Sequence, residues 1–173
     1  MKGMRILMLG IAAFFLVISI LGSAILAWRD FRDAGAVGDA YAQAQKELKI
    51  AGLNDAQSKK ALDDQLSAIG AKNLPGEKDL RTGGMFAVLT LVFALSVLIL
   101  MFVTQRGVLF KVAGALVVLS IVMILMNPQY ETGLAGAASA RNVAIVVGLL
   151  TIIGALLAIF AGRMRRSIDV ATV

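Results

Sequence analysis

The chain alternates between four long apolar stretches and shorter polar segments. The apolar stretches cover residues 6–28, 85–104, 107–126 and 143–162, and Lys111 is the one charged residue within them. A helix of roughly 20 residues crosses the hydrocarbon layer of a bilayer, because each residue adds about 1.5 Å and the layer is about 30 Å thick. The pattern therefore predicts an all-α membrane protein with four transmembrane helices.

The polar segment 29–84, between the first two predicted helices, has a helical pattern of its own. In its first half an apolar residue recurs every three or four positions, at Val37, Tyr41, Ala44, Leu48 and Ala51, and Gly52 is placed to end the helix. In its second half a capping-box pattern at Asn54 and Gln57 is followed by apolar positions at Ala61, Leu62, Leu66 and Ile69. The segment is thus predicted to form a helical hairpin outside the membrane.

Two short helices bury little apolar surface alone, so the hairpin needs a neighbour. One hypothesis is that it docks on another protein through a partner face made of Val37, Tyr41, Ala44, Leu48, Leu62, Leu66 and Ile69. The other is that it is a solvated connector that folds back on its own membrane helices. The neighbour is then the same chain, a second copy or a different subunit.

Composition narrows the chemistry that the chain can perform. Apolar residues make up 59% of it and charged residues 16%, and it has no Cys and no His. A disulfide, a thiolate nucleophile and a His-ligated metal or haem are therefore excluded. No P-loop, dinucleotide-binding or nucleophile motif is present. We expect no cofactor, although a bound lipid, carotenoid or quinone needs only an apolar groove.

Basic residues predict the orientation in the membrane. Lys and Arg total ten in segments 29–84 and 127–142, against seven on the opposite side, and this total places the amino terminus outside. Short connections are more reliable, and the turn at 105–106 and the tail 163–173 are the basic ones. We therefore expect both termini, including residues 1–5, to be cytoplasmic, and the cytoplasmic (inner) membrane to be the location. Basic residues at membrane-flanking positions favour anionic lipids over nucleic acid as partners.

The first apolar stretch has a second interpretation. Its basic start and the small residues Gly22, Ser23 and Ala24 also fit a cleaved secretory signal. The apolar stretch continues through Trp28, beyond the usual length of a signal core, so we expect a retained membrane helix.

The membrane helices contain few polar groups. Lys111 lies four residues from its helix start, where its amine can reach the headgroups. The hydroxyls form no evident polar stripe in the sequence; they lie at Ser19, Ser23, Thr90, Ser96, Thr104, Ser120 and Thr151. Small residues four apart, which let helix backbones approach closely, predict helix packing at Ser19, Ser23 and Ala27 and at Gly154, Ala158 and Gly162.

Three functional classes remain, and we expect the first of those described below. It is a non-catalytic accessory or structural subunit that packs against a larger membrane complex or against itself. The second is an oligomeric channel, transporter or lesion-forming protein. The third is an enzyme that uses carboxylates of the outer segment. These carboxylates belong to Asp30, Asp33, Asp39, Glu47, Asp55, Asp63, Asp64, Glu77 and Asp79. Asp63 and Asp64 are the one adjacent pair among them. Acidic residues on a solvated helix ordinarily face water, so we expect no enzymatic activity.

Overall fold

The protein is all-helical across the part that the computed structural model describes, which comprises residues 2–50, 57, 60, 75–103, 106–128 and 140–170. It forms α1 (Lys2–Ile50), α2 (Glu77–Phe102), α3 (Arg106–Met126) and α4 (Ala140–Val170), and these residues contain no strand. All four helices are long and apolar enough to cross a membrane, over Gly3–Asp39, Glu77–Phe102, Gly107–Met126 and Arg141–Arg163. The prediction of four such helices is confirmed.

The first helix is much longer than the apolar stretch that predicted it. α1 has 49 residues, so it is about 74 Å long. It passes through Trp28 without a break and joins the predicted membrane helix to the first predicted helix of the outer segment. No proline lies between Lys2 and Ile50, so no residue there lacks a backbone N–H. The second predicted helix, after Asn54, lies outside the described residues, apart from helical conformation at Gln57 and Lys60.

The helices form an antiparallel bundle. α1 packs against α2 and α4, and α3 packs against the same two helices. Near the end of the bundle where α2 begins, Ala34 of α1 packs against Leu80 of α2, with Val37 beside them. The side chain of Glu77 lies next to Gly38 at the same end. The two helices therefore run alongside each other up to the start of α2.

The interior of the bundle is built mainly from small side chains. One buried cluster combines Leu16, Val97 and Leu116 with alanines from all four helices, at 12, 94, 113, 155 and 158. A second cluster lies closer to the start of α2 and includes Leu26, Ala87 and Met123. Alanine in the interface lets helix axes approach closely, which favours van der Waals packing between helices where no water is present.

Candidate functional site

The buried polar residues form the distinctive feature of the bundle. Seven of them are at most 2% exposed: Ser19, Ser23, Asp30, Thr90, Ser120, Asn127 and Thr151. They come from all four helices or the residue that follows α3, and they share the interior of the bundle. The sequence showed no polar stripe because these residues are spread over separate helices. Only the packing of the helices brings them together in the interior.

Asp30 and Asn127 form a hydrogen bond across the end of the bundle. The Asn127 side-chain Nδ2 donates to Asp30 Oδ2 at 2.9 Å, and the two residues are 97 positions apart in the sequence. Asn127 directly follows α3, and its backbone N–H donates to the Met123 carbonyl at 3.1 Å. The Asn127 side chain therefore connects the end of α3 to α1. Removing one partner of a buried hydrogen bond typically costs about 1–3 kcal/mol, because the other partner is left unsatisfied.

Two glycines of α2 make room for this hydrogen bond. A Cβ atom at Gly83 would lie 3.1 Å from Asp30 Oδ2 and 3.3 Å from Asn127 Nδ2. A Cβ atom at Gly84 would lie 3.2 Å from the Phe31 ring. Because all three distances are tighter than ordinary contacts, the Gly83–Gly84 pair explains how α2 approaches α1 so closely at this level.

The charged residues near this end pair with one another. Arg32 Nη2 lies 2.7 Å from Asp33 Oδ1, and Arg29 Nε lies 3.8 Å from Asp33 Oδ2. On α2, Arg81 Nη2 lies 2.7 Å from Glu77 Oε1, with both side chains substantially exposed. Exposed ion pairs add little stability. Asp33 and Glu77 each lie beside a guanidinium group.

Three hydroxyls lie deeper in the bundle. Ser23 and Thr90 are each seven residues from Asp30 and Gly83 along their helices, or about 10 Å, and Ser120 is seven residues from Asn127 along α3. The Thr90 hydroxyl donates to the Phe86 carbonyl at 2.8 Å. The Ser120 hydroxyl donates in the same way, at 2.7 Å, to the carbonyl four residues earlier. The Ser23 Oγ is buried without a hydrogen-bond partner among the described atoms.

Ser19 and Thr151 connect α1 to α4 directly. Their hydroxyl oxygens are hydrogen-bonded to each other. The Thr151 hydroxyl also lies 2.7 Å from the Val147 carbonyl oxygen, and the Ser19 hydroxyl lies 3.3 Å from the same oxygen. Ser19 and Thr151 are near the middle of the apolar stretches 6–28 and 143–162. The two hydroxyls therefore satisfy each other in an interior where the neighbouring side chains are mostly apolar.

The structure places the predicted helix-packing residues as follows. Ser19, Ser23 and Ala27 of α1 are buried, as are Gly154 and Ala158 of α4, and Gly162 is half-buried. The two series do not meet residue against residue. The side chains nearest to Gly154 belong to Leu16 and Phe15 of α1, and those nearest to Gly162 belong to Phe110 and Leu109 of α3.

Of the predicted partner face, only Val37 has a described environment, beside Ala34 and Leu80. The side chains of Tyr41, Ala44 and Leu48 lie outside the described residues, as do Leu62, Leu66 and Ile69. The partner face stays a prediction.

Sequence reasoning missed the special position of Asp30. The sequence places it among the carboxylates of the polar segment 29–84, which are expected to face water, but Asp30 is 0% exposed. A usable signal was its spacing of seven and eleven residues from Ser23 and Ser19, which places all three on one side of a continuous helix. Asn127 had no comparable signal, because it looked like the start of a loop.

The arrangement offers hydrogen bonding between helices. Among the described residues, no group of three or more Asp, Glu, His or Cys side chains is arranged to hold a metal ion. The chain matches no protein-family model, no curated protein and no solved structure.

Proposed function

We propose that the protein is a non-catalytic integral membrane protein that acts as an accessory subunit, packing against a larger membrane complex. The observation that carries the proposal is the two-sided character of its helices. α1 buries the small and polar residues Ser19, Ser23 and Ala27 and exposes large apolar residues every three or four positions, at Leu7, Ile11, Phe14, Ile18, Leu21, Ile25 and Trp28.

α2 and α4 also have a buried side and a side with exposed apolar residues. On α2 the exposed apolar residues include Met85, Val92 and Ile99, and on α4 they include Leu149 and Phe160. Soluble monomers rarely expose contiguous apolar patches larger than a few hundred Å². Apolar stripes of this length on several helices favour surroundings of lipid or of another protein's membrane helices.

Charge supports the orientation with both termini in the cytoplasm. The bundle end that holds the amino terminus carries Arg5, Lys111 and Arg163 on three helices. The opposite end also carries basic residues, including Arg29, Arg32, Lys78 and Arg81, but they border the long segment 29–84, whose charge is a weaker guide to orientation than that of short connections. An excess of Lys and Arg near helix ends is typical of the cytoplasmic side.

The contacts of the polar groups support the proposed accessory role. The hydroxyls of Thr90, Ser120 and Thr151 contact carbonyl oxygens of their own helices, and the Asp30–Asn127 hydrogen bond holds the bundle end together. These groups therefore support packing. In addition, α1 extends about 30 Å beyond Asp30, which supports a role for the outer segment in contacting a partner.

The absence of cysteine allows a direct test of membrane location and orientation. We would introduce one cysteine at a time, as Lys78→Cys near the start of α2 and as Arg163→Cys near the end of α4, both at exposed positions. A membrane-impermeant maleimide should label the first variant in intact cells and the second only after permeabilisation. Labelling of both in intact cells, or release of the protein from membranes by alkaline carbonate, would contradict the proposal.

A second experiment tests the accessory role. A photo-crosslinking amino acid replaces exposed Phe14, and the matched control places it at Ala12, which is 0% exposed on the same helix. We expect the Phe14 variant to yield an adduct of one fixed protein mass, and that protein to co-purify at fixed stoichiometry in mild detergent. Purification of the chain alone, together with ion conductance from the pure protein in vesicles, would instead favour an oligomeric channel.

A further inference from the structure

We propose that the basic end of the bundle binds the phosphate group of an anionic phospholipid in a cleft at Arg5. The cleft lies between all four helices, and its lining includes Arg5, Leu9, Leu100, Met101, Leu109 and Ala158. The inference rests on the proposed membrane location, but it adds a specific ligand and a specific site.

The guanidinium of Arg5 is incompletely bonded within the protein. Its Nε atom is buried and has no hydrogen-bond partner among the described atoms. The other residues that line the cleft are Leu, Met, Val, Ala and Gly, whose side chains carry no oxygen. Because buried N–H groups are nearly always hydrogen-bonded, an acceptor from outside the chain is the natural partner for this atom.

The cleft has room for such an acceptor atom. Its volume is about 20 Å³, and it is partly open to the surroundings. A volume of this size accommodates about one water-sized group, such as one phosphate oxygen, while the rest of the headgroup lies at the surface. Arg is well suited to this role, because its planar guanidinium can hold phosphate through two parallel hydrogen bonds.

Charge at this end favours an anionic ligand, and the apolar surroundings favour a lipid over a soluble anion. Arg163 is exposed on a helix that lines the cleft, and residues 1–29 and 80–130 contain no Asp or Glu. Large apolar side chains next to the cleft are also exposed, including Ile6 at 70% and Phe102 at 75%. A phospholipid supplies both the anion for Arg5 and the acyl chains for this apolar surface.

The test compares delipidated wild-type protein with Arg5→Gln and with Lys111→Gln, a control that removes an exposed charge on a helix lining the same cleft. Thermal unfolding is followed by circular dichroism in a neutral detergent, with increasing phosphatidylglycerol or phosphatidylcholine. We expect phosphatidylglycerol to raise Tm for wild type and Lys111→Gln. Arg5→Gln should need about tenfold more phosphatidylglycerol for the same rise in Tm. A tenfold loss of affinity is what the removal of one charge-assisted hydrogen bond is expected to cause. Phosphatidylcholine should have a much smaller effect.

Three results would overturn the proposal. The first is an equal phosphatidylglycerol response in Arg5→Gln and Lys111→Gln. The second is an equal rise in Tm with inorganic phosphate, which would identify a site for a soluble anion. If Arg5→Gln does not fold, Arg5→Lys is used in its place. A wild-type phosphatidylglycerol response in Arg5→Lys is the third result, because it would show that binding does not require a guanidinium group. Failure of the proposed membrane location would be seen in a separate experiment, as extraction of the protein from membranes by alkaline carbonate.

Discussion

The contact between α3 and α4 at Gly148 yields a sharp prediction. A Cβ atom at this position would lie 2.6 Å from Ile124 Cδ1, 2.7 Å from Ile124 Cγ1 and 3.3 Å from the Ser120 backbone carbonyl oxygen. The backbone atom cannot move unless α3 itself shifts. We therefore expect Gly148→Ala to separate the two helices slightly or to force Ile124 into another rotamer.

The magnitude follows from comparison with a glycine in open space. A Cβ atom at Gly114 of α3 would meet nothing within 4 Å. Replacing Gly by Ala within a helix removes backbone freedom from the unfolded chain and stabilises by roughly 0.5–1 kcal/mol. Both variants share this gain, and Gly148→Ala alone carries an overpacking cost of about 1–3 kcal/mol. The difference between their unfolding free energies should therefore be about 1–3 kcal/mol, with Gly148→Ala the less stable variant.

The assay is reversible unfolding of the purified protein by SDS in mixed micelles, followed by circular dichroism at a helical wavelength. Adding Ile124→Ala to Gly148→Ala removes both clashing side-chain atoms, so the double variant should be more stable than the sum of the two single changes predicts. Equal unfolding free energies for Gly148→Ala and Gly114→Ala would refute the close approach of α3 and α4.

Three further outcomes are expected in the same unfolding assay. Asn127→Ala should lower the unfolding free energy by about 1–3 kcal/mol, because Asp30 loses a buried hydrogen-bond donor; unchanged stability would contradict this. A double-mutant cycle of Ser19→Ala and Thr151→Ala should give a coupling of about 0.6 kcal/mol and at most about 1.7, the range for hydrogen bonds between membrane helices, and zero coupling would show that the hydroxyls do not interact. Gly154→Leu should weaken the packing of α1 on α4 by about 1–3 kcal/mol, and wild-type stability would contradict the contact.

The hydrogen-bonded interior could be predicted only in part from the sequence. The types of its groups were visible, since each hydroxyl lies in an apolar stretch. Their partners were not, because the Ser19–Thr151 hydrogen bond joins residues 132 positions apart. Side-chain spacing within one helix reports which residues share a face, and it does not report which face of another helix lies opposite.

The length of α1 shows that hydropathy does not predict where a helix ends. Hydropathy marks where a segment stops being apolar, and it stops at Trp28, but the backbone hydrogen bonds of a helix do not depend on the polarity of its side chains. α1 therefore continues to Ile50. This continuity keeps Asp30 on the same side of the helix as Ser19 and Ser23, and so places a carboxylate in the interior.

The sequence by itself determined that this protein has four long apolar helices, because that property depends on residue type along one continuous segment. Only the tertiary structure decided which helix faces lie against each other, that Asp30 meets Asn127 beside Gly83, and that the Arg5 Nε atom is buried with no hydrogen-bond partner among the described atoms. The physical reason is that burial and hydrogen bonding between distant segments depend on how close two helices come. That distance is set jointly by the small residues of both helices.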